Sequence, residues 1–141
     1  MGLDNEKLVM TNVELEKLLK KDSWSFKGVI MSDEIITKVN PNIESSFIIN
    51  YDTTDGEGTH WVALKVDGRN IYYFDAFGIP PLQGIIDLEK RFKKKLIYNS
   101  IILQPLNSVI CGHLSAVFII LMDEFKNDFN HVLQMLQSKI K

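Results

Sequence analysis

Hydrophobic positions along the chain follow two rhythms, and the switches between them mark out the elements. Residues 46–51, 60–66, 71–75 and 96–103 are short runs rich in β-branched and aromatic side chains, bounded by polar or Gly-containing stretches, and each predicts a strand. The helical rhythm appears four times. Thr11-Asn12-Val13-Glu14 is a capping-box pattern that opens a helix through residue 20 or 21, with Val13, Leu15, Leu18 and Leu19 as its apolar positions. Residues 83–95 form an amphipathic helix whose buried face is Ile85, Ile86, Leu88 and Phe92. Residues 108–124 are apolar nearly all round, which predicts a helix at the centre of the fold. Residues 129–140 make the last helix, on Phe129, Val132, Leu133, Leu136 and Ile140.

Shorter signals fill the gaps. Residues 24–30 read as an extended or turning segment, with Trp24 and Phe26 expected in the core. Ser32-Asp33-Glu34 starts a further helix that must stop before Pro41. Residues 52–58 are a polar, Gly-containing loop. Strands and helices in this mixture predict an α+β domain with the helix 108–124 at its centre.

Composition narrows the setting. With 45% hydrophobic and 24% charged residues in 141, residues 1–141 read as a single globular domain. A net charge of −2 gives no general attraction to nucleic acid or membrane. The single cysteine excludes an internal disulfide, no 18-residue apolar span exists, and residues 1–7 carry charges where a signal peptide would be apolar. The expectation is a protein made and used inside a cell, or inside a particle assembled there, with no membrane partner.

That cysteine is the first chemical candidate. Asn107 or Ser108 can cap the helix that follows, which puts Cys111 in the first turn, where unpaired amides and the helix dipole favour a thiolate. Free cysteines are also among the most buried residues, so Cys111 alone decides nothing. The hairpin adds a second observation. Asp67-Gly68-Arg69-Asn70 separates two β-rich runs. A two-residue loop at Asp67-Gly68 would oppose His60 to Asp75 directly, a four-residue loop would make Asp75 a diagonal neighbour on the same face, and a three-residue loop with a bulge would break the relation. Two of these turns bring an imidazole beside a carboxylate, as in a base held in tautomer and orientation by an acid. Gln104 ends the strand leading to Cys111, seven residues before it, where a side-chain amide can serve an oxyanion.

In chain order the constellation is His60, Asp75, Gln104, Cys111. Gly58-Thr59-His60-Trp61-Val62-Ala63-Leu64, Tyr73-Phe74-Asp75-Ala76-Phe77-Gly78 and Gln104-Pro105-Leu106-Asn107-Ser108-Val109-Ile110-Cys111-Gly112 resemble the motifs of adenovirus-type cysteine proteases, within the wider group of SUMO and ubiquitin-like proteases. The resemblance covers residues 47–125 and is closest in flavour to the short proteases of virophages and virus-like DNA transposons.

The resemblance implies His60 as general base, Asp75 as its orienter, Cys111 as nucleophile and Gln104 as oxyanion donor, on an α+β fold whose central mixed or antiparallel sheet packs on the nucleophile helix, a papain-like core of rearranged order. It sets Trp61 beside the imidazole and puts Trp61, Gly58 and Gly112 among the substrate-binding positions. It also implies precursor polypeptides as substrates, cut at glycine-containing sites during capsid or core maturation. The adenovirus enzyme has Glu at the position of Asp75, and Asp is usual in the SUMO-type relatives. Its disulfide-tethered activating peptide has no counterpart here, since Cys111 is the one thiol; a noncovalent peptide activator stays open. The cluster Lys90-Arg91-Phe92-Lys93-Lys94-Lys95 reads first as a solvated helix end and leaves DNA as a further partner.

No metal or organic cofactor is expected, because the three histidines have no zinc-site spacing. His113, two residues past Cys111 on a helix, lies roughly 200° around the axis from it, and His131 carries no motif. The rival readings are an isopeptidase for ubiquitin-like modifiers and a catalytically idle module that binds glycine-rich tails.

Overall fold

The computed structural model describes residues 12–51, 60–103 and 111–140. Its frame is a five-stranded sheet of β1 (Phe26–Met31), β2 (Ser45–Asn50), β3 (Trp61–Val66), β4 (Asn70–Phe74) and β5 (Lys95–Tyr98), in that spatial order. β1 is parallel to β2 and β4 to β5, while β3 runs antiparallel to both neighbours. The sheet is therefore mixed, and the α+β class holds.

Both parallel crossovers lie on one face. The first passes through a 3-10 turn, Ser32–Glu34, and the short helix α2 (Ile35–Lys38); the second is α3 (Gln83–Phe92). They bury Ile35, Ile85 and Leu88 against Ile49, Val62, Leu64, Ile71 and Tyr73. The other face carries α1 (Asn12–Asp22), α4 (Cys111–Glu124) and α5 (Phe129–Ile140). There Leu15, Leu19, Leu114, Phe118 and Met122 pack on Ile48, Ala63, Tyr72 and Phe74. With both faces covered, β2 is buried along its whole length, as expected of a strand without a wet side. The predicted central helix is α4, lying along β3.

Several boundaries differ from the sequence expectation. The segment read as extended or turning over 24–30 becomes a true strand from Phe26 on, β1, paired at the sheet edge. The helix predicted over 83–95 stops at Phe92, because Lys93 takes a left-handed conformation (φ 53°) and Lys94 Nζ donates to Gly68 O at 2.7 Å. The strand predicted over 96–103 keeps its ladder only to Tyr98. Thr11 and the proposed caps Asn107 and Ser108 lie outside the described residues.

Trp24 is not in the core: it is 65% exposed. Its neighbours Ser23 and Ser25 turn inward to donate to Asp123, which leaves the intervening side chain outward. The Trp24 ring instead covers Lys65, whose Nζ sits 4.6 Å from the ring centroid. Lys65 is fully buried on the helical face and is paired with Asp123 (2.6 Å) and Glu44 (3.2 Å), the compensation a buried ammonium requires.

Candidate active site

Strand directions gather one set of groups at one end of the sheet. β3 begins where its antiparallel neighbours β2 and β4 end, and β5 ends beside β4. His60 (just before β3), Asp75 (just after β4), Tyr51 (after β2) and Asn99 (after β5) therefore meet there.

The hairpin chooses the four-residue loop. Val66 opposes Ile71 and Leu64 opposes Tyr73, so Val62 falls opposite Asp75 and His60 is its diagonal neighbour. The Asp-Gly pair does not close a two-residue turn because the Asp67 carboxylate takes the loop amides itself. Its Oδ1 accepts from Arg69 N (3.0 Å) and Asn70 N (2.8 Å). Even on the diagonal, His60 Nε2 lies 2.8 Å from Asp75 Oδ1.

Each member of this pair is held from several sides. The His60 ring stacks on Phe77 (centroids 4.2 Å apart, planes 9° apart) and leans against Tyr51 at 5.3 Å. Its carbonyl accepts from Tyr51 N at 2.7 Å. Asp75 opens a tight turn in which Gly78 N donates to the Asp75 carbonyl (2.8 Å) and Phe77 N to Asp75 Oδ1 (2.8 Å). Gly78 closes the turn at φ 68°, where a Cβ would stand 3.2 Å from the Ser100 carbonyl.

Asp75 has no exposed surface, and its Oδ2 finds no hydrogen-bond partner among the described residues. A carboxyl group so placed depends on the partners it has, His60 Nε2 and Phe77 N, both at Oδ1. Burial first, and then the charge of Asp75, raise the phenols of Tyr73 and Tyr51 above the usual range, so both stay neutral beside it.

α4 approaches this end of the sheet from the helical face. Its second residue, Gly112, packs so closely that a Cβ would stand 3.4 Å from Trp61 Cδ1 and from Leu15 Cδ1. One turn on, Ser115 Oγ donates to the Trp61 carbonyl at 3.2 Å. Trp61, the residue that follows His60, thus holds the start of the Cys111 helix against β3. Gly58, Gln104 and the side chain of Cys111 lie outside the described residues.

His131 is exposed at the far end of the helical layer, its ring against Phe125. Asn99 was not singled out from sequence, yet its carboxamide bonds the Asp75 main chain. A lone Asn at a strand end carries no sequence signal for such a role.

No protein-family model matches the sequence, and no curated protein matches it. Solved structures do. The chain is similar to the ASFV pS273R protease, with a TM-score of 0.67 at 20% identity over 92% of this chain and 62% of that one. It is similar to AvrA, in a structure with IP6 and CoA, with a TM-score of 0.59 at 16% identity over 96% of this chain and 57% of that one. A third is the central domain of the uncharacterized Lpg1148 protein from Legionella pneumophila, with a TM-score of 0.52 at 14% identity over 91% and 85%. The chain spans less than two thirds of the ASFV protease and AvrA chains. At these identities the likeness establishes the fold, one that a viral protease uses. Among the described residues, no helix is long and apolar enough to cross a membrane.

Proposed function

We propose that the chain is a cysteine endopeptidase in which Cys111 is the nucleophile, His60 the acid–base group and Asp75 its orienter. The observation that carries this reading is the buried His60–Asp75 contact of 2.8 Å, at the sheet end where the helix starting at Cys111 packs on Trp61. Asp75 receives Nε2–H, so Nδ1 is the ring nitrogen that exchanges the proton with the thiol.

The steps follow from those roles. The thiol proton passes to His60, and the thiolate attacks the scissile carbonyl. The Cys111 amide and the Gln104 side chain receive the oxyanion. His60 returns its proton to the leaving amine, which departs with the C–N bond. His60 then takes a proton from water as it attacks the thioester, freeing the carboxylate product and the thiol.

The substrate we propose is a precursor polypeptide of a viral capsid or core, cut at glycine-containing sites in the host cell or the virion. Gly58, Trp61 and Gly112 would line its path. A noncovalent peptide activator, and DNA at Lys90-Arg91 and Lys93-Lys94-Lys95, belong to the same proposal. The test sets a glycine-containing capsid-precursor peptide against a C-terminal probe of a ubiquitin-like modifier. Faster turnover of the peptide is expected. Much faster reaction with the modifier would instead identify an isopeptidase.

A further inference from the structure

We infer that Asn99 is a positioning residue for the His60–Asp75 pair, acting through the main chain of Asp75; this rests on the peptidase reading above. β5 leaves its ladder with β4 at Tyr98, opposite Tyr73. From there the Asn99 carboxamide stands in for the missing strand. Its Oδ1 accepts from Asp75 N at 3.0 Å, and its Nδ2 donates to Asp75 O at 2.6 Å. Both main-chain polar groups of Asp75 thus meet one side chain that is 3% exposed, the carbonyl sharing it with Gly78 N. The carboxylate side chain is left to serve His60 Nε2 and Phe77 N.

The same carboxamide reaches forward. Nδ2 also donates to Ile101 O at 3.1 Å, and two residues later Leu103 N donates to Ala76 O at 2.8 Å. The segment running into Gln104 is therefore laced to the turn that presents Asp75. One buried amide thus ties the orienting acid to the described segment that leaves β5, residues 99–103. In a site where an ångström of misplacement can cost about a hundredfold in rate, such a clamp acts on turnover more than on substrate binding.

The test uses two variants. Asn99→Asp is isosteric and keeps the acceptor for Asp75 N, but as a carboxylate it loses the donor to Asp75 O and Ile101 O. Asn99→Ala removes all three bonds. Both are expected to lower kcat by about 10- to 100-fold with KM within about threefold. The Asn99→Asp deficit should narrow as pH falls, because protonation gives the acid back one donor. The second readout needs no turnover. In the Cys111→Ala background, the downfield proton resonance of His60 Nε2–H should be sharp with Asn99 and broadened or lost in both variants.

A sharp resonance and native kcat in folded Asn99→Asp would overturn the inference. So would an activity loss matching the lost folded fraction, with the resonance intact in what remains folded. A chain without peptidase activity whose Asn99 variants still lose the resonance would keep the clamp and sink the peptidase reading.

Discussion

Cys111→Ala is expected to lower kcat for peptide cleavage by at least about 10⁴-fold while leaving KM near its native value. That loss is roughly 5.5 kcal/mol of transition-state stabilisation at 1.36 kcal/mol per decade. The effect should be this large because no other residue can replace the sulfur: the chain has one cysteine. Serine should rescue little. A hydroxyl does not ionise against an imidazole as a thiol does, so the thiolate–imidazolium ground state is lost with the sulfur. The measurement is steady-state cleavage of a peptide that the native chain turns over, with circular dichroism to show that the variant is folded. Cleavage by Cys111→Ala at the native rate would remove Cys111 from the mechanism.

Asp75 carries the second large effect, and its substitutions should separate by what they leave at one oxygen. Oδ1 accepts from both His60 Nε2 and Phe77 N, each at 2.8 Å. Asp75→Ala removes that acceptor and the charge behind the ring, and should cost about 10³-fold in kcat/KM. Asp75→Asn can keep an amide oxygen at the same point, and should lose less, about 10- to 100-fold, its NH₂ taking the buried Oδ2 position. Equal activity of the Ala and native chains would contradict the role given to Asp75.

How much of this was legible beforehand depends on the range of the interaction. The helix over 129–140 and the central placement of α4 followed from periodicity, because an all-round apolar helix has nowhere else to go. The His60–Asp75 relation was legible to within a choice of turn, since period two keeps both side chains on one face in either even loop. Which loop formed was not, because the decision lies in the Asp67 carboxylate capturing two amides.

What the pattern missed was non-local. The parallel pairing of β1 depends on a partner about 20 residues away, and a short edge run has no rhythm of its own. The burial of Lys65 is intelligible only once Asp123 and Glu44 arrive from α4 and from the turn before β2. Trp24 went outward for the same reason: its serine neighbours had the better claim on the interior. Asn99 bonds a residue 24 positions earlier, which no local window contains.

The central claim is that the thiol of Cys111 is activated by His60. It is tested most directly by the rate of alkylation with iodoacetamide at pH 6, where a thiol with an unperturbed pKa near 8.5 is almost wholly protonated. The account predicts that the native chain is alkylated much faster than free cysteine and that His60→Ala loses most of that excess rate. Alkylation of the native chain no faster than free cysteine would contradict it.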